Sequence, residues 1–383
     1  MWALVAILGL AAGVLVSHYN NHQQQPDAPT PRGQEQDTEL KTDAFSLRLF
    51  QHALAGSEAR NVLVAPHTLA RVLTALQELA GGKTLQELQG LQLCSGAEIR
   101  SCEPVSAALL GMDYNLPRQE MAGLVMALPF SEDVPMALSL FNGMLASATG
   151  RPDAQLVSSN MVTNRTRLLA GCTIHFKANW EIPFHQADTR TADFDNASGG
   201  MPHFRQMRSR GLYRCTSAAD GSWKAVALPM KAENGSPIPL YFIAILPAGH
   251  ARDFAAALTT EQLTEIRRSL ASASIQDTLV ELPRQELQIQ PFDMRDSLRR
   301  MGLKALFDSE TADFSRLTPE KIHLAALVHA VDVSLTESPG RTIPDTELDY
   351  APHCLSFNRP FVWLVADLAT STPVEFMGLV QEM

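Results

Sequence analysis

The sequence predicts a single mixed α/β (α+β) domain built around large sheets, and three observations predict it. Short, strongly apolar runs such as YFIAIL and FVWLVADL have the length of strands buried between layers. Segments with apolar residues at helical spacing are interspersed with them. No repeat period and no internal linker divides the 383 residues, and a hydrophobic content of 45% can fill one large core.

The elements follow in chain order. Residues 2–16 are an uninterrupted small-and-apolar run, shorter than the about 20 residues a membrane-spanning helix needs, so residues 1–17 are expected to be a secretory signal peptide. A charged leader is missing and Ser17 is only a fair cleavage position, which leaves an uncleaved membrane anchor open. Residues 18–41, with Tyr19 as their one aromatic anchor, read as a flexible tail. The folded domain is expected over 42–383. It opens with a helix over 42–56 that carries Phe45, Leu49 and Phe50 on one side. NVLVAP is a short buried strand and HTLARVLTALQELAGG an amphipathic helix, while Thr84 and Glu87 have the spacing of a capping box. From about Gly123 strands dominate: LVMALPF, LLAGCTIHF, WKAVALPM, LYFIAILP and TLVELPRQELQIQ. Two further helices are expected over ARDFAAALTTEQLTEIRRSL and DMRDSLRRMGLKALF, the second capped by Asp293. The chain closes on the strands ALVHAVDVSL, FVWLVADL and VEFMGLV.

Charge and cysteine usage narrow the function. A formal charge of −10 argues against nucleic acid or an anionic membrane as partner. The basic group Arg205, Arg208, Arg210 and Arg214 is interrupted by Met207 and Leu212 and reads as a solvated strand face. Five cysteines are too few for a disulfide scaffold; Cys94 and Cys102 are the candidate bridge on spacing, and Cys172, Cys215 and Cys354 cannot be paired from sequence. Asn164, Asn196 and Asn234 head glycosylation sequons, Asn234 being the poorest acceptor because Pro237 follows it. GGKT at 81–84 imitates the end of a phosphate-binding loop, but the first glycine of that motif would fall on Gln77 inside a helix. His175 and His185 read as satisfied core histidines. No nucleophile elbow, zinc motif or dinucleotide fingerprint is present, so no enzyme, no cofactor and no metal is expected.

Residues 335–361, LTESPGRTIPDTELDYAPHCLSFNRPF, break the pattern. Between two apolar strands the chain spends a long stretch on prolines, acids and turn formers, and loops of that length in a compact domain are usually functional or disordered.

Their purpose comes from a resemblance. HFKANWEIPFHQADTRTADF, residues 175–194, is similar to the strand-and-turn signature of the serpins, matching at Phe176, Lys177, Trp180, Pro183, Phe184, Thr189 and Phe194. NVLVAPHT, LAGGKT, residues 282–315, VHAVDVSLTES, FNRPFVWLVAD and EFMGLV match the family in order and spacing, from about Thr42 to the end. The resemblance implies a serpin fold, a monomer, a serine protease as partner and residues 335–361 as the reactive loop, the bait. In that family the cleaved bait inserts into the large sheet as a new strand, which requires every inserted residue to supply ladder hydrogen bonds.

Departures from the family set the expected function. Glu337 is retained, but Ser338, Pro339, Gly340, Arg341 and Pro344 replace a hinge that is usually small and alanine-rich. Proline lacks an N–H and is nearly excluded from central strands, so Pro339 and Pro344 oppose insertion. Against this, Gly340, Thr342, Pro344, Thr346, Leu348 and Tyr350 alternate with Arg341, Asp345, Glu347 and Asp349, as an insertable strand needs. Counting forward from Glu337 puts the scissile bond near His353; counting back from Phe357 puts it at Asp349–Tyr350. The residues that control sheet opening are expected at Trp180, Arg284, His329, Thr68 and Asn61. Arg284 and Glu337 stand where the family pairs Lys with Glu. Cys172 and Ala65 replace an asparagine and a serine, which would leave His329 short of partners at a cost of about 1–3 kcal/mol. NMVTNRTR is too short for the helix the family lays across its large sheet, so a bare sheet face is expected. The reading is a secreted, non-inhibitory or weakly inhibitory serpin. The alternatives are a working suicide inhibitor of an extracellular serine endopeptidase and a carrier or interaction module using the bare face.

Overall fold

Strand pairing sorts the apolar segments into two sheets. The computed structural model describes residues 32–383 except 57–60, 94–104, 114–115, 117–124, 148–154, 232–238, 289–291, 341–347, 349 and 370–372. The signal over residues 1–17, Cys94, Cys102, Asn234, Arg341, Pro344 and Asp349 therefore lie outside the described residues.

The larger sheet follows the order β1 (Val62–Val64), β15 (Phe376–Val380), β14 (Phe361–Ala366), β8 (Tyr241–Pro247), β7 (Trp223–Pro229), β6 (His203–Ser217), β9 (Ile275–Pro283) and β13 (His353–Ser356). A short β5 (Arg190–Asp193) adds to β6. The second sheet runs β10 (Gln285–Gln288), β12 (Leu324–Leu335), β4 (Leu168–Lys177), β2 (Val105–Asp113) and β3 (Val125–Leu128), with β11 (Phe292–Asp293) on β12. Its centre is a parallel pair, β4 beside β12, which the chain reaches only after traversing most of the first sheet.

Seven helices cover these sheets among the described residues: α1 (Arg32–Ala55), α2 (Pro66–Leu79), α3 (Gly82–Gln89), α4 (Val134–Ser147), α5 (Ala251–Ala257), α6 (Thr260–Ser272) and α7 (Arg295–Arg300). α1 begins at Arg32, inside the segment read as a tail, because its Glu, Gln and Leu residues are good helix formers even without an aromatic anchor. The expected helix after residue 250 is two helices, broken where Leu258 and Thr259 are extended. The break creates a capping box the sequence reading missed: the Gln262 backbone N–H donates to Thr259 Oγ1 at 3.2 Å, and Gln262 Oε1 accepts from the Thr259 N–H.

The expected box at Thr84 and Glu87 does not form. α3 starts three residues earlier, with Gly81 at its cap in place of Thr84; Thr84 Oγ1 accepts from the Asp313 N–H, and Glu87 Oε2 accepts from the Ala305 N–H. Gly82 has φ +43 and a Cβ there would lie 2.4 Å from Asp313 Oδ2, so the GGKT turn faces a carboxylate and is no phosphate cradle. Asp293 stands one residue before the cap of α7, which is Met294, although its carboxylate accepts from the Arg295 N–H.

The largest correction concerns α4. A bare sheet face was expected; instead Ala137, Phe141 and Leu145 of α4 pack with Leu128, Leu169 and Val328 in one apolar cluster on that face. Gly111 on β2 and Gly171 on β4 make the approach possible, since a Cβ on either would come within about 3.2 Å of the Phe141 ring. The helix escaped notice because VPMALSLFNGMLAS is apolar almost all round, Met136 and Met144 being exposed on its outer side, so no amphipathic period marks it. A carrier role resting on a bare face loses its basis.

Away from the sheets, Arg267 of α6 is fully buried and pairs with Asp43 of α1 and with Asp367 after β14, pinning the first helix to the C-terminal hairpin.

Candidate functional site

The seam between β4 and β12 is where an inserted bait strand would have to enter. The two strands pair directly, with Leu168 opposite Leu324, Cys172 opposite His329 and Lys177 opposite Ser334, so no strand lies between them.

The middle of the seam is closed by a buried histidine. His329 Nε2 accepts the Ala65 backbone N–H at 3.0 Å, which puts the neutral ring's proton on Nδ1, 3.1 Å from the Cys172 sulfur. Losing the family's amide and hydroxyl therefore does not leave His329 unsatisfied: the backbone of Ala65 and the thiol of Cys172 serve it. Burial holds His329 near pKa 4, so the ring is neutral at physiological pH, and burial pushes the Cys172 thiol far above the usual thiol range. Thr68 is buried in the first turns of α2, the helix that begins just after Ala65. Asn61 belongs elsewhere. Its amide grips the chain end, donating to the Glu382 carbonyl at 2.9 Å and accepting from the Gln381 and Glu382 N–H groups, so it fastens β1 beside β15 rather than the seam.

The upper end of the seam is a polar clasp on the residues that follow β12. The Trp180 indole N–H donates to the Thr336 carbonyl at 3.0 Å. Glu337 accepts from the Thr189 hydroxyl at 2.7 Å with one oxygen and meets Arg284 Nε at 3.1 Å with the other. The Ser338 N–H donates to the Phe184 carbonyl at 2.8 Å, the last backbone bond among the described residues before the bait leaves. Gly340 then lies so close to the His185 ring that a Cβ would be 2.3 Å from Nδ1. Trp180 is fixed by edge-to-face contacts with Phe184 and Phe242, and Phe242 stacks on Trp363. Sequence reasoning reached Trp180, Arg284 and Glu337 but gave no role to Thr189, Phe184 or His185. A hydroxyl and a carbonyl 148 and more positions away in sequence carry no periodic signal. The histidines expected in the core, His175 and His185, are half-buried, and the Nδ1 of each has no hydrogen-bond partner among the described residues.

Beyond Pro339 and Gly340, both exposed, the chain returns at Leu348, which is fully buried, while Tyr350 is 82% exposed. His353 is already a strand residue of β13, opposite Thr278 on β9. The forward count therefore falls on an edge strand of the sheet, while Asp349 of the backward count lies outside the described residues.

The remaining expected residues scatter. Asn164 is exposed, and Asn196 is half-buried with its Oδ1 accepting the Met383 N–H. Cys172, Cys215 and Cys354 are free thiols. The basic strand face is mostly paired rather than solvated: Arg208 is buried against Glu281, Arg210 holds Asp277, and Arg214 donates to the carbonyls of Ala271 and Ala273. Among the described residues no group of three or more His, Cys, Asp or Glu side chains is arranged to hold a metal, and no helix is long and apolar enough to cross a membrane.

Comparison with known proteins matches this arrangement to one family. The family model Serpin (serine protease inhibitor) matches residues 118–383. Plasminogen activator inhibitor 1 of Mus musculus is 24% identical over 376 residues, covering 88% of this chain and 90% of that one. Among solved structures, uncleaved ovalbumin superposes with a TM-score of 0.79 at 18% identity, covering 90% of this chain and all of that one. Maspin does so with a TM-score of 0.78 at 19% identity, covering 92% of this chain and all of that one.

Proposed function

Because the chain belongs to the serpin family, the serine protease inhibitors, we propose that it is a secreted, glycosylated, monomeric serpin whose bait inserts poorly, making it a weak inhibitor or none. The observation that carries this reading is the position of Pro339. Ser338 is, among the described residues, the last before the bait whose N–H is bonded to the β4 side of the site, and the next residue along the path of insertion has no N–H to offer. A strand entering between β4 and β12 must replace every hydrogen bond those strands now exchange. Each carbonyl left facing a proline in the buried sheet costs about 1–3 kcal/mol, and Pro344 repeats the loss five residues later. A slow insertion gives an attacking protease time to complete hydrolysis, so the bait behaves as a substrate.

A working suicide inhibitor is the second reading. The alternation from Gly340 to Tyr350 supports it, as does the Glu337–Arg284 pair, which keeps the start of the bait above the seam. Mixing the chain with trypsin and with chymotrypsin separates the two, since Arg341 and Tyr350 each suit one of those enzymes. The proposed reading expects nicked chain and free protease on a denaturing gel; a band at the summed mass that survives denaturation overturns it.

A further inference from the structure

At the foot of the same seam lies a cavity of about 350 Å³ that the bait has no part in. One rim is the segment leading into β4, with Thr163, Arg165 and Arg167; the other is the segment leading into β12, with Lys321 and His323, and Arg295 of α7 joins them. Among the described residues no carboxylate lines it, although the whole chain is strongly acidic. Three acids act on its lining from outside it, Asp293 on Arg295, Asp113 on Arg167 and Asp308 on His323. Asp293 is held by Arg295 at 2.6 Å, Asp113 lies 3.9 Å from Arg167 and accepts from Ser131, and Asp308 folds onto the N–H groups of Glu310 and Thr311. Arg165 and Lys321 are exposed and, among the described residues, neither side chain pairs with an acid, so two positive charges line the same opening.

Of the cations on this lining Arg295 and Arg167 have acids beside them, whereas Arg165 and Lys321 pair with none among the described residues and so favour an anion between them. The hydroxyls of Thr163, Thr166 and Ser309 in the same wall add neutral hydrogen-bonding groups. Among the described residues the lining has no tryptophan, tyrosine or phenylalanine face for a nucleobase, His323 being its one aromatic ring. The volume exceeds that of one tetrahedral oxyanion and falls at the low end of small-molecule sites. We infer that this cavity is a binding site for a sugar-sized molecule carrying a sulfate or phosphate ester, the ester clamped by Arg165 and Lys321 and the ring hydroxyls met by the threonine and serine side chains. Because the two rims belong to β4 and β12, an occupant ties together the strands whose separation insertion requires.

Titration calorimetry on the intact, uncleaved chain at low ionic strength tests the site without involving any protease, so its outcome is independent of whether the bait inserts. The probes are glucosamine 6-sulfate, glucose 6-phosphate and inorganic phosphate, against the native chain and the Arg165→Ser, Lys321→Ser double variant. Both positions are exposed and pair with no acid among the described residues, so the variant should melt where the native chain does, which certifies its fold. The expected result is saturable binding of one or both sugar esters, about tenfold or more weaker in the variant and weaker at higher salt. The preferred ester identifies the source of the ligand. No heat from either ester, equal binding by the variant, or inorganic phosphate binding as well as the esters overturns the proposal.

Discussion

The middle and the upper end of the β4–β12 seam do the same job, holding two parallel strands together, by opposite means. In the middle everything is buried: His329 is 2% exposed, Cys172 1%, and their hydrogen bonds are shielded from water. At the upper end the contacts are ionic and half-open, with Arg284 at 42% side-chain exposure and shared between Glu337 and Glu286. Buried hydrogen bonds are costly to leave unmade, whereas solvent can replace exposed ones. The upper end is therefore the weaker part of the seam, and it is also where Pro339 stands. On the proposed function, this chain keeps the clasp of Glu337 and Arg284 and its prolines obstruct the bait that would pass it.

Three variants sharpen that contrast. The largest effect is expected from removing the obstruction. Pro339→Thr with Pro344→Ala restores two backbone donors, and after a nick at the bait the double variant should melt at least about 10 °C higher than before it, as several ladder bonds are gained at roughly 1 kcal/mol each. An unchanged melting temperature would mean that the prolines are not the obstacle.

The second acts on the middle. Burial lowers the pKa of His329 from 6.5 to about 4, so between those values the unfolded chain binds the proton and the folded chain does not. The stability this group contributes is complete above pH 6.5 and falls as the pH drops toward 4, by about 3 kcal/mol in all. His67, held near pKa 4 by burial and by Arg71, titrates in the same window and adds to the slope. Denaturant unfolding across that range should therefore show a shallower pH dependence in His329→Gln than in the native chain; equal slopes would place the proton uptake elsewhere.

The smallest effect belongs to the upper end. Glu337→Gln removes an ion pair with a half-exposed partner and should cost about 1 kcal/mol of global stability. Its clearer signature is local, faster proteolysis after Leu335 with the melting temperature lowered by only about 1–2 °C, and a melting loss as large as that of a core cavity would contradict the contrast drawn between the two ends.

How much of this was legible depended on whether the signal was local. Strands such as β8, β12 and β14 announce themselves as apolar runs, and the ion pair was readable because Glu337 and Arg284 keep the charges of a known pattern. α4 was not, since a helix apolar on nearly every side loses the period that identifies it. β13 has only four residues, two of them exposed, and its pairing with β9 is a tertiary fact that moved the bait's end from His353 back toward Tyr350. The service His329 receives from the Ala65 backbone was equally hidden, because a main-chain donor has no residue type to read. The cationic cavity escaped for another reason: Arg165, Lys321 and Arg295 come from three separate segments, each unremarkable alone.

The most direct test of the account is to nick the native chain between Pro339 and His353 with a broad-specificity protease and compare its melting temperature with that of the intact protein. The account predicts a change of no more than a few degrees, since the prolines keep the severed bait outside the sheet. A rise of tens of degrees would mean that the bait has taken its place between β4 and β12, and would contradict it.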